Sequence, residues 1–246
     1  MSDIKALLEQ IDANRAELAN YEMPSAARER FDADRRLSVI HSTTVIEGNT
    51  LTLQEARQVL EGYSVADKQL RELWEVTNMN KAIDFMEANL RTPLTEEFIK
   101  QLNAIVMQNI NDTAAGSYRF VNVRIVGASF SPPSPQELRV QMGNLVAQYN
   151  SELYLALHPV ERAAKLHTDF VRIHPFEDGN GRTARLLMNS ELRKHGYPMI
   201  SINARIEYLK ALETYGMSET HEPLVMIITQ EVLNEQKLIK EHSLKK

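Results

Sequence analysis

The stretch that decides the fold is residues 159–194, PVERAAKLHTDFVRIHPFEDGNGRTARLLMNSELRK. Val160, Ala163, Leu166, Phe170 and Ile173 recur every three or four residues, the apolar stripe of an α-helix running from about Pro159 to Ile173. Pro175 ends that helix, because proline disfavours helical geometry in the residue before it. A second helix starts near Gly181 and reaches about Lys194, where Gly196 and Pro198 stop it. Two helices joined by a short glycine-bearing loop are the centre from which the rest is read.

Outward from this pair the chain reads as helix after helix. Leu7, Leu8 and Ile11 begin an early stripe. A helical pattern runs from Phe31 to Ile46, with Leu37 and Ile40 in its apolar set and Gly48 placed to terminate it. Thr52 and Glu55 fit a capping box that opens the next helix, to about Glu61. Leu70, Leu73, Trp74, Ile83 and Phe85 mark a long helix over roughly Lys68 to Leu90. Phe98, Leu102, Ile105 and Val106 mark another after Pro93 and Thr95. Further helices are expected near Gln136 to Asn150 and Pro223 to Lys240. One stretch departs from this period. Val121, Val123 and Ile125 alternate with Asn122 and Arg124, which is the period of a strand, and Gly127 is placed to turn it back toward Phe130. The expected fold is mainly α, a helical bundle carrying a small β-hairpin. It divides into an N-terminal helical segment (1–35), a core (36–215) and a C-terminal helix packed on or extending that core (216–246).

Bulk properties narrow the function. The 246 residues are 43% hydrophobic and 25% charged, close to globular averages. The net charge of −5, from 28 basic and 33 acidic residues, lacks the broad basic footprint of a nucleic-acid binder. There is no cysteine, which excludes disulfides, Cys-ligated zinc and a thiol nucleophile. No apolar run approaches the roughly 18 residues of a membrane span, and the charged start MSDIKALLEQIDANR lacks the core of a signal peptide. A soluble cytoplasmic protein is expected, with no nucleic-acid or membrane partner.

The loop His174 to Asn180 concentrates the chemistry. Gly179 and Gly181 let a ligand approach the main chain. The helix after them presents unpaired N–H groups and about half a positive charge, which favours an anion. Arg182 and Arg185 share a face of that helix, and arginine grips phosphate oxygens with paired hydrogen bonds. Asp178 is a carboxylate suited to Mg²⁺. His174, with an ordinary pKa near 6.5, is placed to take a proton from an attacking hydroxyl. Each feature alone has a plain structural explanation: a turn, a dipole-complementing histidine, a solvated arginine face. Together, in this order, they make a phosphoryl-transfer site. Neither a P-loop nor the kinase motifs are present.

The run His174-Pro175-Phe176-Glu177-Asp178-Gly179-Asn180-Gly181-Arg182-Thr183-Ala184-Arg185 matches H-x-F-x-[DE]-G-N-G-R-x-x-R, the signature of the Fic family. The resemblance covers roughly His41 to Leu212 and implies a helical bundle with a β-hairpin flap. It implies that His174 is the general base, Phe176 a core anchor of the loop, and Asp178 the Mg²⁺ ligand. Gly179, Asn180 and Gly181 resemble the phosphate cradle, with Arg182 and Arg185 as clamps and Arg185 on the γ-phosphate. Gly116-Ser117-Tyr118-Arg119 through Phe130 resembles the flap, where Val123, Arg124, Ile125, Val126 and Gly127 align an extended piece of target by strand addition. Asn203 and Tyr208 fall where relatives often line the nucleoside pocket. The implied activity is transfer of AMP from ATP to a Ser, Thr or Tyr hydroxyl of a target protein, with self-modification a further expectation. Phosphate-transferring relatives usually lack the second glycine, and this chain keeps Gly181, which favours AMP.

Residues 43–49, TTVIEGN, match a second family motif, [ST]-x-x-x-E-[GN], that of an inhibitory helix, here about 36–48. The resemblance implies that Glu47 ion-pairs Arg185, withdraws it from the γ-phosphate and leaves the α-phosphate misaligned, with Thr43 one turn before it. Glu47 has a second implied role in some relatives, removing AMP from the target. De-AMPylation, transfer of another phosphate-linked group, and a non-catalytic nucleotide-binding regulatory module stand as alternatives. A toxin with a separate antitoxin is disfavoured by the brake in the same chain. A zinc site from His167, His174 and Asp178 fits no standard spacing. His158, His195 and His221 read as surface or capping residues, Trp74 and the ten methionines as packing.

Overall fold

The computed structural model describes residues 2–125, 128 and 130–245. Its elements in chain order are α1 (Ser2–Leu18), β1 (Tyr21–Glu22), α2 (Ser25–Ile46), α3 (Leu53–Leu60), α4 (Leu70–Ala88), α5 (Glu96–Met107), α6 (Leu138–Tyr149), α7 (Glu152–Leu155), α8 (Pro159–Ile173), α9 (Asn180–Lys194), α10 (Arg205–Ser218), α11 (Glu222–Glu241) and β2 (Leu244–Lys245). The fold is mainly α. Among the described residues the one sheet is the antiparallel pair β1–β2, with Tyr21 opposite Lys245 and Glu22 opposite Leu244.

Local chemistry sets the helix ends. At α3, Thr52 Oγ1 accepts from the Glu55 N–H while a Glu55 carboxylate oxygen accepts from the Thr52 N–H, the reciprocal capping box. At α8, His158 Nδ1 accepts from Val160 N–H, Glu161 accepts from His158 N–H, and Pro159 occupies the first turn, where its missing N–H costs nothing. The same helix stops at His174, whose φ of 50° and ψ of 58° are left-handed. A side chain with a Cβ adopts that geometry at a cost of about 1–2 kcal/mol, so the surrounding structure holds the residue before Pro175 in place.

The core has two parts. Ile40, Val76, Met79, Ile83, Leu102, Phe170, Phe176 and Leu187 belong to the larger. Ile11, Val160, Met188, Leu192, Tyr197, Tyr208 and Val225 belong to the other. Helix α9 feeds both, and it is buried along nearly its whole length, polar residues included. Each buried polar group then needs a partner. Asn189 pairs in both directions with the Ile200 backbone, and Glu191 meets Arg162 and Tyr149. Arg182 and Arg185 are 1% and 4% exposed, so they form no solvated face.

Two expectations change. Helix α2 starts at Ser25, so the N-terminal segment and the inhibitory helix meet within one continuous helix. The alternating residues Val121, Val123 and Ile125 lie in a loop, not a strand, and the described residues of 120–130 form no hairpin. Among the described residues no strand lies beside them to pair with, and a lone hairpin is marginal in water. Val126 and Gly127 lie outside the described residues. Phe130 is anchored instead: its ring lies over Gly216 of α10, where any Cβ would collide with it.

Phe176 is fully buried, its ring tilted against Tyr118 at 5.6 Å and Phe170 at 6.2 Å between centroids. Phe176→Ala is expected to lower unfolding stability by about 3–5 kcal/mol, read in urea as a lower midpoint at unchanged slope. A loss under about 1 kcal/mol would show that the loop is held by other contacts.

Candidate active site

The site is built on the junction of α8 and α9. Gly179 caps α9 with φ of 77°, and a Cβ there would stand 2.8 Å from Met107 Sδ and 2.9 Å from Asn103 Nδ2. Only glycine meets both demands. Asn103 of α5 braces the turn, donating to Asp178 O at 3.1 Å and accepting from Gly116 N–H at 3.0 Å. The Asn180 side chain closes the loop from within: its Nδ2 donates to Phe176 O at 2.9 Å and its Oδ1 accepts from Phe176 N–H at 3.0 Å. The amide is therefore occupied, and the backbone N–H groups at the start of α9 are what it offers an anion.

A carboxylate stands beside this helix start. Glu47, at the end of α2, receives Arg185 Nη2 on Oε1 at 2.6 Å. The same Oε1 lies so close to Gly181 that any Cβ there would collide with it. Arg185 is held on three further sides. Its Nε donates to Thr43 Oγ1 at 2.5 Å, Nη2 to Thr43 O at 3.0 Å, and Nη1 to Tyr208 Oη at 3.2 Å. Burial pushes the Glu47 carboxyl up, but the Arg185 guanidinium more than offsets this and holds it below its ordinary value.

His174 lies beside this pair. Its Nδ1 is 3.3 Å from Val171 O, a carbonyl that can only accept, so Nδ1 carries the proton and Nε2 keeps its lone pair. Burial lowers its pKa below the ordinary 6.5, with Val171 O, Glu47 and Asp178 pulling the other way and Arg119 reinforcing the burial. Asp178 Oδ2 meets Arg71 Nη2 at 2.6 Å, and Oδ1 meets Arg182 Nη2 at 3.2 Å and the Gly179 N–H. Burial raises this carboxyl, but Arg182 and its other donors keep it ionised below its usual range. Glu47, Gly48, Arg71, Glu75, Asp178 and Arg182 line a cleft of about 440 Å³. Two Arg182 nitrogens, Nε and Nη1, lack a hydrogen bond among the described residues, although Nη1 stands 3.4 Å from Glu75.

The structure thus gathers Thr43, Glu47, His174, Asp178, Gly179, Asn180, Gly181, Arg182, Arg185 and Tyr208 at one place. Tyr208 is behind Arg185, 1% exposed, and lines no open pocket. Asn203 does not join them; it is exposed, its amide near Glu231 at 3.5 Å. Of the flap residues, Arg124 is exposed, and Val123 and Ile125 are half-buried. Arg71, Glu75, Asn103 and His167 belong to the site or its support and carry no local signal in the sequence. Arg71 is 107 positions from the aspartate it pairs with.

The profile of the Fic/DOC family matches residues 93–192. A curated relative, protein adenylyltransferase fic-1 of Caenorhabditis elegans, is 33% identical over 207 residues, covering 81% of this chain and 40% of the relative. Protein adenylyltransferase Fic of Drosophila ananassae is 36% identical over 198 residues, covering 79% and 39%. The chain therefore spans about two fifths of the length of these curated relatives. Among solved structures, a Fic domain containing signaling protein from Bacteroides thetaiotaomicron is 30% identical with a TM-score of 0.84, covering 95% of each chain. Fic-1 (aa134–508) from C. elegans is 29% identical with a TM-score of 0.88, covering 98% of this chain and 72% of that one.

His167, on α8, is fully buried and its Nε2 is 3.0 Å from Tyr208 Oη, while its Nδ1 has no partner among the described residues. Burial, with the Arg185 charge, pushes its pKa down to about 3. Unfolded, the ring takes its proton near pH 6.5. As pH falls below 6.5 the unfolded chain binds a proton that the folded chain refuses. Stability should then fall by about 1.4 kcal/mol per pH unit from this residue, down to about pH 3. His167→Gln is expected to flatten the loss between pH 6 and pH 4 in urea titrations. Equal slopes for both proteins would contradict the assignment.

Proposed function

The chain belongs to the Fic/DOC family, and from that premise we propose that it transfers AMP from ATP to a hydroxyl side chain of a protein, under restraint by Glu47. The observation that carries this reading is the carboxylate of Glu47 standing on Gly181 and Arg185 at the start of α9. A carboxylate there marks an anion site already built. Its oxygens occupy the kind of position that a triphosphate oxygen would take.

The chemistry asked of the chain is modest. The target oxygen bonds to the α-phosphorus, the bond from that phosphorus to the bridging oxygen breaks, and pyrophosphate leaves. His174 Nε2 takes the hydroxyl proton. Arg182 and Arg185 supply positive charge where the phosphates carry negative charge, and they are fixed before the reaction, so little reorganisation is needed. Gly179 and Gly181 keep the main chain close to the ligand. A divalent cation fits Asp178: the carboxylate is ionised and 39% exposed, and it lies beside the arginines that would hold the phosphates. Bound there with ATP, Mg²⁺ would neutralise charge on the phosphate oxygens. The target carries Ser, Thr or Tyr, and this chain's own hydroxyls are candidates for self-modification. The exposed Phe120 and Val121 offer an apolar edge to an extended target segment.

The restraint follows from the same bonds. While Glu47 holds Arg185, that guanidinium is not free for the γ-phosphate. A displacement of about 1 Å in the bound phosphates costs roughly a hundredfold in rate. Removal of the carboxylate leaves Arg185 with Thr43 and Tyr208, still placed but no longer neutralised.

Incorporation of label from α-labelled ATP with Mg²⁺ tests the reading. Glu47→Gly should raise self-labelling by about tenfold or more, and His174→Ala in that background should abolish it with nucleotide binding retained. Absence of label in every form, with nucleotide still bound, would favour another transferred group or removal of AMP. The pH profile of the Glu47→Gly protein is a separate check. His174 must be neutral to accept a proton and its pKa is depressed, so activity should hold as pH falls to 6.5 and drop only below it. A midpoint above pH 6.5 would contradict the base assignment.

A further inference from the structure

Arg119 is 2% exposed, and no carboxylate of the described residues pairs with it. A buried guanidinium without an acid is costly unless its N–H groups are satisfied in other ways. Here backbone carbonyls satisfy them. Nε donates to His174 O at 2.8 Å, Nη1 to Val121 O at 3.0 Å, and Nη2 to Pro133 O at 2.7 Å and Ile173 O at 3.4 Å. The backbone N–H of Arg119 adds a bond to Pro175 O at 2.9 Å.

These acceptors fall into two groups. Ile173 O and His174 O are carbonyls left unpaired at the C-terminal end of α8, where a positive charge is favoured. Val121 O and Pro133 O belong to two separate stretches of the segment that follows Arg119, its two feet. One side chain therefore fastens both feet of that segment to the backbone on either side of the proposed base. The geometry is also what holds His174 in its left-handed conformation, since its carbonyl is clamped by Nε and its neighbour's by the Arg119 N–H.

We propose that Arg119 is a positioning residue that locks Val121 and Pro133, beside the exposed Phe120–Val121 edge where a target would dock, to the backbone of His174, so that a hydroxyl held at that edge arrives in register with the His174 ring. The assignment rests on the transferase reading for its purpose, and on the hydrogen bonds alone for its geometry. Lysine has one nitrogen in place of three and cannot reach carbonyls in both groups at once, although it keeps the charge. Glutamine loses charge and reach together. The charged groups facing His174 are Glu47 from the end of α2, Asp178 from its own loop and Arg119 from the loop foot; the first two favour its protonated form and Arg119 disfavours it. Loss of the Arg119 charge should therefore raise the pH at which the ring titrates.

The experiment uses the full chain in the Glu47→Gly background, with Arg119→Lys and Arg119→Gln. Thermal melts establish that each variant is folded at the assay temperature. Histidine ring titration by NMR, with His174→Ala to identify the signal, needs no turnover. It should move to higher pH in Arg119→Gln and stay near the parent in Arg119→Lys. Self-labelling from α-labelled ATP should fall by about tenfold or more in both, while affinity for ATP stays within about twofold of the parent. The proposal is overturned if labelling falls only in proportion to folded protein, if ATP affinity falls as far as labelling does, or if the ring titration is the same in all three. If the Glu47→Gly parent takes up no label, the transferase reading fails by itself, and the ring titration still decides whether Arg119 acts on His174.

Discussion

The structure depends on a buried arginine that must be satisfied. Arg185 stands on the central helix α9 at 4% exposure, and its guanidinium is met by Thr43 Oγ1, Thr43 O, Glu47 Oε1 and Tyr208 Oη. Burying a charge costs several kcal/mol unless its partners are well placed, and loss of one partner leaves the remainder of that cost exposed. Three of those acceptors come from α2 and its cap and one from α10, so the same guanidinium also tells α2 and α10 where to pack. Tyr208 in turn donates to His167 Nε2, because its oxygen already receives Arg185, and that fixes the His167 tautomer and leaves the ring neutral. One guanidinium therefore orders side chains on α2, α8, α9 and α10.

The proposed restraint and the proposed catalysis draw on the same physical property. The start of α9, with Gly179 and Gly181 admitting a close approach, attracts whatever anion is nearest. In the isolated chain that anion is Glu47, delivered at an effective concentration set by its own helix. On the proposed reading a triphosphate would then compete with a carboxylate that is already paired with Arg185. Asp178 shows the same theme on the other side of the cleft: it is neutralised by Arg71 at 2.6 Å and Arg182 at 3.2 Å. Glu47 and Asp178 are thus each matched by arginine, and on the proposed reading both contacts would loosen as phosphate and cation enter.

The parts legible in the sequence are those governed by local rules. The stripe from Val160 to Ile173, the stop before Pro175 and the capping box at Thr52 are set by spacing and by hydrogen bonds within a few residues. The catalytic loop was legible because glycine, acid and arginine must follow one another in a fixed order to meet a phosphate. What was not legible depends on contacts between distant elements. Arg182 and Arg185 read equally well as a solvated face, until α2, α4 and α10 close over them. Arg71 meets Asp178 across 107 positions, and nothing near Arg71 in sequence marks it. Helix α10 was missed because Ile206, Leu209 and Met217 point outward while Tyr208, Ala211 and Tyr215 point inward, so its apolar residues mark no single face. The alternation at Val121, Val123 and Ile125 is a real preference for extended backbone, but a strand needs a neighbour to pair with. Within the described residues none is there.

That missing neighbour and the position of Glu47 lead to one further step. Glu47 is at the C-terminal end of α2, where the helix carries partial negative charge and a carboxylate is disfavoured. The end is offset by Arg185 and by Arg205, whose Nε donates to Ile46 O at 3.2 Å. The last turn of α2 is thus held by its own backbone bonds and by two cations from elsewhere in the fold. Anything that draws Arg185 away, a phosphate above all, removes the reason for Glu47 to remain where it is. Gly48, at φ of 99°, takes the left-handed turn that ends the helix, and Asn49 after it is anchored on Glu72 O and Glu75. On the proposal that Glu47 restrains the site, release would need the last turn of α2 to move while its buried part from Leu37 to Thr44 stays in the core. The proposed brake would then open at the cost of a few local bonds, and a bound nucleotide could compete with it on those terms.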